Sequence, residues 1–183
     1  MTSNEGVLPT RRNSLRLQGH DYSLPGCYFI TIVTQGRVCR FGEVKDGEIV
    51  HNAVGKMVET VFQQMLTAFP GLMDVAHVIM PNHVHLLLQN EGEASVTEVV
   101  RWFKSKTTNG YIHGVKEEGW SRFDIRLWQT RFYDVIIRNA VAHQYVVAYI
   151  QNNPFRWTFD RLNAYANPAS ADEIGKELNL INW

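Results

Sequence analysis

Two histidines stand one residue apart, His83 and His85, in the run Met80-Pro-Asn-His-Val-His-Leu-Leu-Leu88. In an extended strand, residues two apart project to the same face. The two imidazoles would then form a two-pronged donor, with Val84 and Leu86 packing on the other side. Neutral imidazole is a common ligand for divalent metals, and a pair held on a rigid strand loses little entropy when it binds one. The same spacing also suits two partly buried histidines satisfied by hydrogen bonds, so this motif alone does not carry a function. His77, on the facing apolar run, reads as structural. A second group lies in Tyr145-Val-Val-Ala-Tyr149-Ile-Gln-Asn-Asn153-Pro. On a helix, Tyr145, Tyr149 and Asn153 follow each other in steps of four and share an inward stripe with Val146 and Ile150. Tyr149 either fills core space or presents its hydroxyl to something held on the sheet. An amide on an inward stripe needs partners, and ligation of a metal through the Asn153 oxygen would supply one; a cap or turn preceding Pro154 is the other reading.

These groups need elements to hold them, and the hydrophobic pattern supplies a set. Cys27-Tyr-Phe-Ile-Thr-Ile-Val-Thr34 follows a Pro-Gly turn and is rich in β-branched and aromatic residues, as a buried strand is. A short hairpin around Phe41 to Val50, turning at Asp46-Gly47, would extend it. From Asn52, apolar residues at helical spacing (Val54, Met57, Val58, Val61, Phe62, Met65) end before Pro70-Gly71. The runs 75–80 and 83–88, joined by Pro81-Asn82, read as a tight antiparallel hairpin in the sheet centre. Ser95 to about Tyr111 reads as a second helix, with Ser95 as its N-cap and Val96, Val99, Val100 and Phe103 inward. Phe132 to Ile137 is a fourth strand, and Asn139 caps a third helix that stops at Pro154. Strand, helix, strand, strand, helix, strand is the split βαβ order of ferredoxin-like folds. The expected class is therefore α+β, with an antiparallel sheet and an added C-terminal helix that carries Tyr149.

Composition narrows the class further. With 45% hydrophobic and 20% charged residues, the chain is ordinary for a globular protein, and no stretch approaches the roughly 18 apolar residues of a membrane span. Residues 1–20 are polar and read as a flexible segment, not as a secretory signal. Residues 21–162 read as one domain and 163–183 as a weakly patterned tail, whose closing Leu178 to Trp183 could dock as an apolar strap. Cys27 and Cys39 are too few for a disulfide scaffold, which suits a reducing cytoplasm. Lys plus Arg and Asp plus Glu number 18 each, whereas phosphate binding usually leaves a basic excess. The charge is uneven, however: Arg11, Arg12, Arg16, Arg37 and Arg40 cluster early, and Arg101, Lys104, Lys106, Arg122, Arg126, Arg131 and Arg138 lie in the middle. The tail from Asp172 to Glu177 leans acidic.

Taken together, several stretches resemble the REP-associated tyrosine transposases and the small single-strand transposases with a His-hydrophobic-His motif. They are Gly19-His-Asp-Tyr22, Gly26-Cys-Tyr-Phe-Ile-Thr-Ile32, Met80-Pro-Asn-His-Val-His85, Phe103-Lys-Ser105, Leu127-Trp-Gln-Thr-Arg-Phe-Tyr-Asp134, Ile137-Arg-Asn139 and Tyr149-Ile-Gln-Asn-Asn-Pro-Phe-Arg-Trp157. The resemblance covers about residues 10 to 162. It implies that His83 and His85 are ligands of Mg²⁺ or Mn²⁺, with Asn153 as a third, amide ligand. Tyr149 is implied as a nucleophile that nicks single-stranded or hairpin DNA and transfers the strand through a 5′-phosphotyrosine. Tyr133 is the competing nucleophile, although a strand aromatic beside Phe132 is readily explained as packing; Tyr145 and Tyr111 rank lower. Arg101, Lys104, Lys106, Arg131 and Arg138 would meet phosphates, and Trp128, with Trp102 and Phe132, would stack on unpaired bases. Because ligand imidazoles must be unprotonated, activity should fall as pH drops through about 6.5. Family relatives include monomers and homodimers, and either state is open here. The alternative is a host-adopted protein that binds hairpins without cutting them.

Overall fold

The computed structural model describes residues 21–166. The expected segment 1–20, with Arg11, Arg12 and Arg16, lies outside them, as do most of the tail and its strap at Leu178 to Trp183. The β-branched and aromatic run forms β1, Gly26–Val33, buried along nearly its whole length. A hairpin of β2, Gly42–Lys45, and β3, Glu48–His51, turns at Asp46-Gly47, both at positive φ. It does not extend β1 but forms a separate two-stranded sheet. The reason lies at its base, where Arg40 and Phe41 donate their amides to the carbonyl of Pro81 instead of continuing a ladder.

Helix α1, Ala53–Ala68, begins where Asn52 accepts the amide of Gly55, and it buries Val58, Val61, Phe62 and Met65. Strands β4, Leu72–Met80, and β5, His83–Asn90, are joined by the two-residue Pro81-Asn82 turn. Helix α2, Val96–Glu117, runs beyond the expected end near Tyr111. Near its end the ring of Trp120 lies against the backbone of Gly114, where a Cβ would meet that ring at 2.3 Å. Ser95 precedes the helix without a side-chain cap. Strand β6, Tyr133–Ile137, and helix α3, Ala140–Asn152, follow, the latter capped by Asn139 on the amide of Ala142.

The main sheet runs β4-β5-β1-β6, and every pairing in it is antiparallel. Here β1 and β4 flank β5, which is the split βαβ arrangement expected for this α+β class. The 75–88 hairpin is only half central: β5 lies inside the sheet and β4 is an edge. The alternation of side chains divides the core between the two faces. On one face Tyr28, Ile30 and Ile32 of β1 and Val84, Leu86 and Leu88 of β5 pack against α1 and α2. On the other, Phe29 and Leu87 pack against Ala142, Val146 and Ile150 of α3. Among the described residues no helix is long and apolar enough to cross a membrane.

His77 on β4 is structural, as expected, and it ties the edge strand to α1. Its Nδ1 meets the Asp74 carboxylate at 2.7 Å, its Nε2 meets Glu59 at 3.4 Å, and its ring lies 4.2 Å from that of Phe62. Burial opposes the charged imidazole, but the hydrogen bond and charge of Asp74, with those of Glu59, outweigh it and raise the pKa. A raised folded-state pKa contributes stability that is complete below the unfolded value of about 6.5 and is lost as pH rises through the folded value. His77→Gln should therefore narrow the drop in melting temperature between about pH 6 and about pH 9, removing a contribution of up to about 1 kcal/mol. Thermal denaturation of both proteins across that range measures it, and an equal drop in both would contradict the assignment.

Candidate metal and nucleophile site

Because His83 and His85 alternate with Val84 and Leu86, they face α3, and both are at most 2% exposed. Their rings lie 4.5 Å apart. Each is held from behind by a polar side chain. His83 Nδ1 meets Asn82 Oδ1 at 2.8 Å, and His85 Nδ1 meets Thr31 Oγ1, its cross-strand neighbour, at 2.8 Å. In both cases Nε2 is left toward the site, the arrangement that outer partners impose on metal-ligating histidines. Burial lowers the pKa of His83 to about 4, against opposing pulls from Asp160 and Asn153. Burial, with help from His83 and Arg161, lowers that of His85 well below its ordinary value. Both imidazoles are thus neutral well below pH 6.5, and the expected loss of function through that value moves to lower pH.

Helix α3 brings the second group to the same place. Its inward stripe is as expected: Val146, Ile150 and Asn153 are buried, and Tyr145 and Tyr149 are half-buried. The Tyr149 hydroxyl lies 3.4 Å from His85 Nε2, and its ring packs edge-on against Phe29, at 6.0 Å between centroids. Burial and the nearby Asp160 carboxylate raise the Tyr149 pKa, whereas Arg161 and the Asn153 amide pull it down. Asn153 is the C-terminal cap of α3, and its backbone amide donates to Ile150. Its side chain is near enough to bias both His83 and Tyr149, yet its Oδ1 meets no donor in hydrogen-bonding geometry.

The chain then turns back through a short 3-10 segment, Trp157–Phe159, and lays Trp157 over His83, at 6.0 Å between rings. This turn delivers Asp160, a residue that the sequence reading did not single out. Asp160 Oδ1 accepts the Leu162 amide at 2.7 Å, and Oδ2 sits 3.7 Å from His83 Nε2. One ligand atom each of His83, His85 and Asp160 lies within 4.8 Å of the others. His83 Nε2, Asn153 Oδ1 and Asp160 Oδ2 are buried without hydrogen-bond partners. Buried polar atoms are rarely left so. Two imidazole nitrogens, a carboxylate and an amide oxygen converging in one place fit a divalent cation by geometry and by donor type.

The other expected residues are placed differently. Tyr133 is 39% exposed on the edge strand β6, opposite Thr31. Trp128 is buried between Phe41 and Phe103, and its indole N–H donates to Thr107. No ring face is left for a base, because the ring fills the core under α2; Phe132 is also buried. Lys104 donates to the carbonyls of Gln129, Thr130 and Arg131, so it clamps that loop. Lys106 lies over the Trp102 ring, while Arg101, Lys106, Arg131 and Arg138 are exposed. Tyr111 bonds the Ser121 carbonyl and Arg40 within the α1 and α2 layer, away from the histidines.

Comparison with known proteins places this geometry in context. A family model described as "Transposase IS200 like" matches residues 45–153, which include both histidines, Tyr149 and Asn153 but not Asp160. An uncharacterised protein of Haemophilus influenzae is 30% identical over 179 residues, covering 88% of this chain and 98% of that one. The solved structure of a REP-associated tyrosine transposase bound to a REP hairpin is similar in fold, with a TM-score of 0.57 at 19% identity. It covers 78% of this chain and 72% of that one.

Proposed function

Because the chain belongs to the family of IS200-like transposases, we propose that it nicks and rejoins single-stranded or hairpin DNA, with Tyr149 as nucleophile beside a divalent cation. One observation carries this reading: the Tyr149 hydroxyl stands 3.4 Å from His85 Nε2, where buried, unpartnered atoms of His83, Asn153 and Asp160 converge. His83, His85 and Asp160 would hold the ion, with the Asn153 oxygen as the adjacent donor. Such a set suits Mn²⁺ at least as well as Mg²⁺, because imidazole is a poor ligand for Mg²⁺. When bound there, a divalent ion would supply Lewis-acid polarisation of a phosphate oxygen of the substrate.

Tyr149 is a neutral phenol at rest, and burial raises its pKa further above the ordinary value. In the reaction its oxygen forms a bond to phosphorus and the bond from phosphorus to the 3′ oxygen breaks. The phenolic proton passes to solvent, and the 3′ oxygen takes up a proton from solvent as it leaves as a hydroxyl. Attack by a new 3′ hydroxyl reverses these changes. One phosphoester replaces another, so no nucleotide energy source is needed. Exposed Arg101, Lys106, Arg131 and Arg138 supply positive charge for the DNA backbone.

Incubation with a 3′-labelled single-stranded hairpin oligonucleotide and Mn²⁺, followed by a denaturing gel, tests the proposal. The expected result is a covalent protein–DNA band that does not form when excess chelator is present from the start. A band undiminished by chelator would contradict the cation's role, and a native-gel shift without a covalent band would favour a hairpin-binding protein that does not cut.

A further inference from the structure

Asn82 is fully buried in the turn between β4 and β5, immediately before the first histidine. All of its side-chain capacity is directed. Oδ1 faces His83 Nδ1 at 2.8 Å, while Nδ2 donates to the Arg37 carbonyl at 2.9 Å and to the Leu162 carbonyl at 2.8 Å. The flipped amide would set its oxygen against two carbonyl oxygens, so the network admits one orientation. An accepting Oδ1 obliges His83 Nδ1 to carry the proton, and the lone pair of this neutral ring then sits on Nε2, toward Asp160. The second half of the amide acts on Asp160 itself. Leu162, whose carbonyl Asn82 holds, is the residue whose amide fixes Asp160 Oδ1. A second tether, from Arg37 Nη1 to the Arg161 carbonyl, lies on the surface.

We propose that Asn82 is a positioning residue that sets two cation ligands at once, the tautomer of His83 through its oxygen and the placement of Asp160 through its nitrogen. The turn alone does not require this amide. Its backbone carbonyl already accepts from Thr34, and other turn-forming side chains suit the position. The proposal rests on the reading of His83, His85 and Asp160 as a cation site, but two of its three readouts do not involve a cation.

Three full-length proteins decide it: wild type, Asn82→Ala and Asn82→Asp. The side-chain nitrogen spectrum of His83, amide hydrogen exchange at 160–163 and calorimetric titration with Mn²⁺ are measured on each. Ionised, the aspartate keeps an acceptor for His83 but cannot donate to Leu162. The wild type should show the Nδ1–H tautomer of His83; Asn82→Asp should keep it and Asn82→Ala should lose it. Exchange at 160–163 should quicken in both variants. Mn²⁺ binding should weaken about 10- to 100-fold in Asn82→Ala, the usual cost of losing an outer partner of a ligand, and less in Asn82→Asp. A lowered melting temperature in Asn82→Ala with tautomer, exchange and affinity unchanged would make Asn82 a turn residue and overturn the proposal. Should Asn82→Ala fail to fold, unaltered exchange in Asn82→Asp would overturn it equally. No binding of Mn²⁺ by the wild type would bring down the cation reading, and with it the purpose assigned to Asn82, whatever the tautomer.

Discussion

Tyr149→Phe is expected to abolish the covalent protein–DNA band, lowering the cleavage rate on the order of 10³-fold or more, as loss of a nucleophile does, with hairpin binding nearly unchanged. The substitution is conservative in every respect but one. Phenylalanine keeps the edge-on contact with Phe29 and the ring contact with His85, and it removes only the oxygen that stands 3.4 Å from His85 Nε2. That hydroxyl lies at the site where the proposed reaction would occur, so its removal deletes the attacking atom and leaves the fold. Tyr133→Phe provides the contrast. Tyr133 lies opposite Thr31, and Thr31 lies opposite His85, so Tyr133 shares the histidine face but sits two strands, about 10 Å, from His85. Its variant should cleave normally. Cleavage retained in Tyr149→Phe and lost in Tyr133→Phe would move the nucleophile to the sheet edge.

The second large effect concerns the carboxylate. Asp160→Asn keeps an oxygen to accept the Leu162 amide while removing the charge that faces His83, so the turn after α3 should persist. In the absence of metal this variant should melt no lower than the wild type, because an incompletely compensated buried carboxylate is costly. With Mn²⁺ the order should reverse. The wild type should gain stability as the logarithm of metal concentration over its dissociation constant, whereas Asp160→Asn should gain little. Its affinity should fall by about 100-fold or more, beyond the loss of an outer partner. Differential scanning fluorimetry across a Mn²⁺ series reads both signs in one experiment. If Asp160→Asn retains the full metal-induced rise and Asn153→Ala loses it, the amide is the third ligand and the carboxylate is a bystander.

The amino-acid sequence by itself determined what depends on neighbours along the chain. A period of two put His83 and His85 on one face of β5, and a step of four put Tyr149 and Asn153 on one stripe of α3, because these are properties of a single strand or helix. The side-chain cap at Asn139 was equally local, as was the hairpin turn at Asp46-Gly47. The order of elements then sufficed for the α+β class, since connection rules leave few ways to fold a split βαβ unit. Only the tertiary structure decided which distant residues meet. Asp160 lies 77 residues from His83 in the chain and has no periodic pattern to mark it; its carboxylate reaches the imidazoles because the turn after α3 folds back over them. The neutrality of the two histidines is likewise a product of packing, since desolvation by α3 and the returning turn, and not the residue type, depresses their pKa values. Burial of Trp128 and extension of α2 to Glu117 have the same origin. A side chain's exposure is set by what the rest of the chain places against it, and sequence spacing carries no record of that.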